Sequence, residues 1–339
     1  MITMSNLETY GPTKPIPVLV EELNKLYHEH EAGEYEGTHP EIFEQLPPLW
    51  REMISVLNDQ LGHGKVRVLD IGCGTGFEAR QCLAAIRSER FERMACYDPS
   101  PGMLRLCRRS LAGGPNCIQF LTDLSELSEE GGKFNVLITN SVLHHMADPV
   151  SSILAVAPLL SPGAVWLCGH EPSRRFLRNP DCRAALQCYR AYDRWRKFLS
   201  PHRYARRLLR CVGATERPED YAARRAVELS MFKRRPPARL VCELVDFHVV
   251  ASESQMEQPK GLDFSELQSA FACEWKLVWR RTYSFLAQYY AGTLPAGWRN
   301  EERRLAAQHP DDGGNCCLVW RRCDARSEFA DGSADIRLP

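Results

Sequence analysis

The sequence contains no hydrophobic run near the roughly 20 apolar residues that a bilayer-spanning helix needs, so no membrane span is expected. It opens MITMSNLETYGPTKP, without a basic start followed by an apolar block, and no secretory leader is expected. None of its 14 cysteines form a CxxC pair, which removes the usual zinc framework. Without a leader, those thiols read as reduced and the chain as cytoplasmic. Charge of one sign is not in excess: 43 basic and 43 acidic side chains cancel, which by itself points to no nucleic-acid or membrane partner. Glycine and proline, 22 each among 339 residues, are too few for a low-complexity chain. A hydrophobic content of 44% is too high for a disordered one. What remains is one large globular domain, or a core domain with an added part.

The zero charge hides an asymmetry. Residues 172–240 carry 19 Lys/Arg against 6 Asp/Glu, a net of +13, so the remainder carries −13. A basic segment sits inside an acidic body.

Residues 1–15 hold Gly11, Pro12 and Pro15 and read as a loose tail. Leu19, Leu23, Leu26 and Tyr27 recur at helical spacing. Pro47 and Pro48 open a second helix, ended by Gly62 and Gly64. Short apolar runs then alternate with helical stretches. Strands are expected at 66–71, 94–97, 118–121, 134–139 and 164–168, and helices at 77–87, 103–111 and 149–160. This alternation predicts a parallel sheet with helices on both faces. It stops after residue 170, where an Arg-rich, mostly helical stretch begins, and resumes near Leu240. A helix at 264–271 and strands at 275–285 and 317–321 complete the pattern.

Val68-Leu69-Asp70-Ile71-Gly72-Cys73-Gly74-Thr75-Gly76 reads as a strand, a glycine turn and a helix start. A dinucleotide fingerprint would need Gly or Ala at position 77, where Phe77 stands, and no GK[ST] follows for a Walker loop. Asp98 ends the next strand, 22 residues after Gly76, where a carboxylate can accept two ribose hydroxyls. Asp123 ends the third strand, where an acid can accept from an exocyclic adenine amine. A glycine turn with acids at the next two strand ends says far more than the turn alone.

VLDIGCGTG, YDPSPGML, FLTDL and FNVLITNSVLHHM, in this order and spacing, resemble the class I S-adenosylmethionine-dependent methyltransferases, and most of all the ubiquinone/menaquinone-biosynthesis group. The resemblance is good over residues 18–170 and loose over the last two strands. The expected fold is α/β: a Rossmann-like seven-stranded, mostly parallel sheet with helices on both faces, plus an inserted helical lid. The chain then divides into an N-terminal helical cap (1–64), a cofactor-binding core (65–172), a basic helical insertion (173–239) and a C-terminal completion of the sheet (240–339). The resemblance implies S-adenosylmethionine as cofactor, S-adenosylhomocysteine as product and no metal. It places Gly72, Gly74 and Gly76 around the methionine part with Asp70 nearby, and Asp98 on the ribose. Pro99, Ser100 and Met103 border the adenosine, Asp123 and the Leu124 amide read the adenine, and Asn140 lies near the methyl group. Tyr27 and Tyr35 would close over the cofactor. Thr139-Asn140-Ser141-Val142 stands where DNA and glutamine N-methyltransferases carry an NPPY-type motif, and no catechol-type metal acids are found there. About 65 residues precede the glycine strand, too few for a plant-type dimerisation domain.

Methyl transfer from a sulfonium is an in-line displacement, so the nucleophile must be held about 3 Å from the methyl carbon. A hydroxyl or protonated amine also needs a base, usually His. His144 and His145 follow the fourth strand, and His170 and Glu171 the fifth, where ligands of an open parallel sheet bind. His145, His170 and Glu171 are the catalytic candidates. Asp246 and His248, alternating in Val-Asp-Phe-His, are read on one strand face within reach of the cleft. His28 and His30 read as a solvated helix end, Cys316 and Cys317 as packed strand residues, and Cys73 is assigned no chemistry.

The insertion reads as a lid for an anionic or aromatic small molecule. A patch for RNA or a carrier protein, and helices whose arginines pair with the acidic body, stay open beside it. The reading is methyl transfer to O or N of a small molecule, without nucleic acid or membrane partner. An RNA or carrier-bound substrate remains an alternative, as does a fold that keeps the cofactor but acts as a cyclase or binding partner. A homodimer is left open, since nothing marks its surface.

Overall fold

The computed structural model describes residues 7–127, 133–198, 216–247, 261–286 and 294–323. Helices α1 (Ile16–Glu31), α2 (Tyr35–Thr38) and α3 (Pro40–Leu61) lead into β1 (Val66–Ile71). Then α4 (Phe77–Ala85), β2 (Phe91–Tyr97), α5 (Pro101–Ser110), β3 (Ile118–Leu121), β4 (Phe134–Asn140), α6 (Pro149–Val156) and β5 (Leu160–Pro172) follow. Among the described residues, α7 (Arg174–Arg178), α8 (Pro180–Phe198), α9 (Pro218–Glu228) and α10 (Ala238–Val245) come next. The described chain closes with α11 (Phe264–Phe271), β6 (Trp275–Tyr283), α12 (Ala296–Gln308) and β7 (Asn315–Arg322).

The strands form one sheet in the order β3-β2-β1-β4-β5-β7-β6. Strands β1 to β5 pair in parallel, and β7 runs antiparallel to both neighbours. The expected fold class is the observed one. Central strands such as β4, Phe-Asn-Val-Leu-Ile-Thr-Asn, are buried almost throughout because helices cover both faces. On one face, α3 and α4 bury Trp50, Met53, Leu57 and Phe77 against Val68, Val136 and Val165. On the other, α6 and α11 bury Ile153, Leu267 and Phe271 against Leu69, Leu137, Trp166 and Trp320. Strand order reverses between β1 and β4, and a ligand crevice lies beyond the carboxyl ends at such a point.

Three expectations change. Helix α3 begins at Pro40 and carries Pro47 and Pro48 inside it. Burial of Ile42 and Leu46 against the core extends it past the two missing N–H donors. Residues 240–245 form a helix rather than resuming a strand. Leu240, Val241, Leu244 and Val245 share the helical face that packs on α1 and α9. Asp246 therefore sits in the turn after a helix, and His248 lies outside the described residues.

The basic insertion divides between two clusters. Helices α7 and α8 pack Phe176, Leu186 and Tyr189 against α12, while α9 and α10 pack on α1. Many of its arginines pair with carboxylates: Arg175 with Asp312 (3.2 Å), Arg178 with Asp263 (2.8 Å) and Arg224 with Glu216 and Glu228 (2.9 Å each). Among the described residues, no helix is long and apolar enough to cross a membrane.

Trp166 is wholly buried, stacks on Trp320 with ring centroids 5.9 Å apart, meets Phe271 edge-on and donates to Thr139 Oγ1 at 2.9 Å. Replacing Trp166 by Ala leaves a cavity between sheet and α11 and should cost about 3–5 kcal/mol in denaturant unfolding. A loss under about 1 kcal/mol would show that this face does not carry the fold.

Candidate functional site

The site begins at the glycine turn. Gly72, Gly74 and Gly76 all take positive φ, at 72°, 50° and 83°. A Cβ on Gly72 would stand 2.3 Å from Val142 Cγ2, so the turn and the loop after β4 touch without room for a side chain. The Gly72 and Cys73 amides donate to the Tyr97 carbonyl at 2.8 and 3.0 Å. Gly74 N–H donates to Asp98 Oδ2 and Ser100 N–H to Asp98 Oδ1, both at 2.9 Å. One carboxylate thus ties the turn after β1 to the start of α5. Burial pushes the Asp98 pKa up to about 6, although both amides favour its charge.

Ser100 caps α5, accepting from Met103 N–H at 3.2 Å. Its hydroxyl also donates to Glu29 of α1 at 2.9 Å, and Gly102 N–H donates to the same carboxylate. Arg105 pairs with Glu29 at 3.0 Å. Partial burial opposes the Glu29 charge, but these donors outweigh it and hold the group below the usual carboxylate range. A negative charge at a helix N-terminus is favourable, and here it fastens α1 across the crevice.

Three adjoining cavities follow the carboxyl ends of the strands. One of about 380 Å³ is lined by Val20, Asn24, Tyr97, Leu124, Met146 and Ile153, among others. A second, about 110 Å³, is lined by Gly72, Gly74, Asp98, Ser100, Met103 and Asn140. The third, about 200 Å³, is lined by Tyr27, His28, Glu31, His144, His145 and His170, with Tyr35, His39 and Asp246. His145 borders all three.

Gly72, Gly74, Asp98, Pro99, Ser100, Met103, Leu124, Asn140 and Tyr35 are thus brought together as the expected cofactor set. Tyr27 lines only the third cavity. Asp70, Gly76 and Asp123 line none of the three. Asp70 is fully buried behind the turn; burial first, then Glu78, raises its pKa well above the usual range, and neither oxygen has a hydrogen-bond partner among the described residues. Gly76 packs against Ser110 and Cys107, and Asp123 caps a short 3-10 turn by accepting from Ser125 N–H at 2.8 Å.

The far end is built by β4 and β5. Asn140 accepts from Trp50 Nε1 at 3.2 Å, which fixes its side chain. The β5–β7 register shifts between Cys168 and Glu171, and inside this bulge His170 takes φ +54°. A bulge re-aims a side chain, and His170 borders the third cavity with Nδ1 2.6 Å from the Tyr283 hydroxyl. Glu171 is fully buried and lines none of these cavities. Its carboxylate accepts from the Val142 and Leu143 amides at 2.9 Å, the His144 amide at 3.2 Å and His144 Nδ1 at 2.9 Å. Burial pushes its pKa up to about 7 against those amides.

His145 donates from Nδ1 to the Val245 carbonyl at 2.8 Å. Burial, then repulsion from His144 and His28, holds its pKa well below the usual value, so the ring is neutral. Glu31 stands between His28 (3.4 Å) and His39 (3.2 Å). Burial opposes its charge, yet those two rings pull its pKa down to about 2. Sequence reasoning set His28 aside and passed over Asn24, Glu31 and His39. A signal was present: positions 24, 28 and 31 share one helical face.

A family model described as "Methyltransferase domain" matches residues 69–166. The chain is 28% identical over 141 residues to the ubiquinone biosynthesis O-methyltransferase of Ruegeria pomeroyi, covering 40% of this chain and 55% of that one. It is 27% identical over 104 residues to the malonyl-[acyl-carrier protein] O-methyltransferase of Halalkalibacterium halodurans, covering 30% and 37%. The chain spans a little over half the length of the ubiquinone-biosynthesis relative. Among solved structures, the N-methyltransferase NodS of Bradyrhizobium japonicum, with S-adenosylhomocysteine, matches at TM-score 0.38 and 12% identity over 80% of this chain and 86% of that one. The match to a methyltransferase domain falls on residues 69–166, the part of the chain that runs from β1 to β5 of the seven-stranded sheet, and it is there that the chain is similar to the S-adenosylmethionine-dependent methyltransferases.

Proposed function

We propose that the chain binds S-adenosylmethionine in the two cavities beside the glycine turn and transfers its methyl group to O or N of a small acceptor in the third. One observation carries this reading. Of four described non-glycine residues with left-handed backbone, Ser141, His170 and Ser284 all line the 200 Å³ cavity. Such backbone costs on the order of 1–3 kcal/mol per residue and collects where function needs it.

The residues present suit the cofactor. Asn24 Oδ1, on the wall of the crevice, is a buried acceptor with no hydrogen-bond partner among the described residues. When bound, S-adenosylmethionine supplies a methyl carbon made electrophilic by its sulfonium. Asp98 accepts from the ribose hydroxyls, Leu124, Met146 and Ile153 border the adenine, and Gly72 and Gly74 leave room for backbone approach. His170 takes the proton of the acceptor, and Tyr283 orients its ring. Glu171 is a positioning residue, holding the turn that carries His144 and His145, rather than the catalytic group expected from its place in the chain.

The 200 Å³ cavity suits a small molecule better than an RNA strand. Among the described residues, no Lys or Arg lines it, and none of the described arginines of residues 173–239 lines any of the three cavities. The described lining of histidine, tyrosine and serine with Glu31 and Asp246 favours a neutral acceptor bearing hydroxyl or amine groups over an anionic one. The described cysteines are free thiols, which supports a reducing, cytoplasmic setting.

Ribose recognition needs the Asp98 carboxylate ionised. Its raised pKa means that it gains a proton as pH falls through about 6. Calorimetric affinity for S-adenosylhomocysteine should be constant above pH 7 and weaken about tenfold per unit below 6. Asp98→Asn should bind weakly with no such slope, and a flat wild-type profile would contradict the assignment.

His170→Ala should lower transfer of labelled methyl into small metabolites of a host-cell extract by about 10²–10⁴-fold. Its S-adenosylhomocysteine affinity should stay within about twofold of wild type, since the ring lines only the acceptor cavity. Full activity in this variant would remove His170 from the mechanism.

A further inference from the structure

We propose that His144, His145 and Asp246 bind a first-row divalent cation at the acceptor end of the crevice. One ligand atom from each lies within 4.8 Å of the other two. The two imidazoles have centroids 4.0 Å apart. The set joins two adjacent residues after β4 to one that follows α10, about a hundred positions later. No spacing motif announces it, and the sequence reading expected no metal.

The surroundings of the two rings point to a ligand. A metal-bound histidine almost always gives its other N–H to a carboxylate or a backbone carbonyl, which fixes the tautomer and aims the ring. His144 does this with Glu171 at 2.9 Å and His145 with the Val245 carbonyl at 2.8 Å. A carbonyl oxygen only accepts, so His145 carries its proton on Nδ1 and its lone pair on Nε2. The Glu171 carboxylate takes three backbone amides as well, which makes His144 Nδ1 the donor there too. Two neutral donor nitrogens and a carboxylate crowd one small volume. A cation among them is held by two lone pairs and by the carboxylate charge.

Imidazole with carboxylate suits Zn²⁺, Co²⁺ or Fe²⁺ better than Ca²⁺ or Mg²⁺. Three protein ligands leave a position open, as catalytic sites do. The same cavity is lined by His170. A hydroxyl placed on the cation loses its proton more readily, and that proton passes to His170 or to water. This use of the cation rests on reading the cavity as the acceptor pocket. Cation binding does not, and it is measured without cofactor or acceptor.

The full chain, stripped with chelator, is titrated with Co²⁺ alone and followed by visible absorption. One Co²⁺ per chain with d–d bands is expected. His145→Ala and Asp246→Asn should each weaken uptake at least tenfold, and Glu171→Gln by about 10–100-fold through loss of the outer carboxylate charge. The Asp246 side chain is half-exposed, so that variant keeps the test alive should a histidine variant not fold. Cys73, Cys96 and Cys107 form a second group of converging ligand atoms, and Cys107→Ser should leave the bands unchanged. No uptake by folded protein would overturn the proposal, as would uptake unaltered in His145→Ala and Asp246→Asn. A thiolate-to-cobalt charge-transfer band lost in Cys107→Ser would move the cation to the cysteines. If Co²⁺ binds as expected but no methyl is transferred, the acceptor reading fails and the site stands. Full methyl transfer by chelator-treated protein that takes up no Co²⁺ removes the site and leaves the reading intact.

Discussion

A carboxylate shut away from water must be satisfied by the protein, and Glu171 is satisfied by the turn that follows β4. Three amides and one imidazole converge on its two oxygens. Breaking such a cluster would strand a buried charge or several buried donors, at about 1–3 kcal/mol for each unsatisfied group. The turn it holds brings Val142 against the glycine turn and sets His144 and His145 at the crevice. The shape of the three cavities therefore depends on one side chain that lines none of them.

The N-terminal segment completes the site from the other side. Glu29 docks on the start of α5, and this fixes α1 so that Asn24, His28 and Glu31 face the crevice. Helices α9 and α10 then brace α1 through Leu19, Leu23, Ala222 and Val241. The basic stretch thus contributes in part by holding α1 in place, with many of its described arginines in ion pairs. Exposed pairs of that kind add little stability each, so the packing of the apolar face carries this role.

Much of this was legible in the chain. The strand–helix alternation gave the sheet, and Gly72, Gly74 and Asp98 stand where their spacing put them, because backbone geometry demands glycine and a strand end demands an acceptor. His170 was legible as a candidate by position. Its bulge was not, since it depends on register with β7, nearly 150 residues later. Glu171 stood beside His170 as a candidate because sequence shows a carboxylate next to a histidine but not which of the two turns inward; the structure buries Glu171. Asp246 was placed on a strand because Val-Asp-Phe-His alternates locally, whereas the helical spacing of Leu240, Val241 and Leu244 just before it decides the local structure. The role of residues 173–239 stayed open among three readings because composition gives charge but not the partners that neutralise it.

The central claim is that one continuous crevice holds the methyl donor and presents it to the histidine-lined cavity. A crystal structure of the protein with S-adenosylhomocysteine tests this most directly. The account predicts the ribose hydroxyls on Asp98, the adenine beside Leu124 and Ile153, and the sulfur turned toward the cavity bordered by His28, His145 and His170. A ligand bound with its sulfur facing away from that cavity, or lodged outside the crevice, would contradict it.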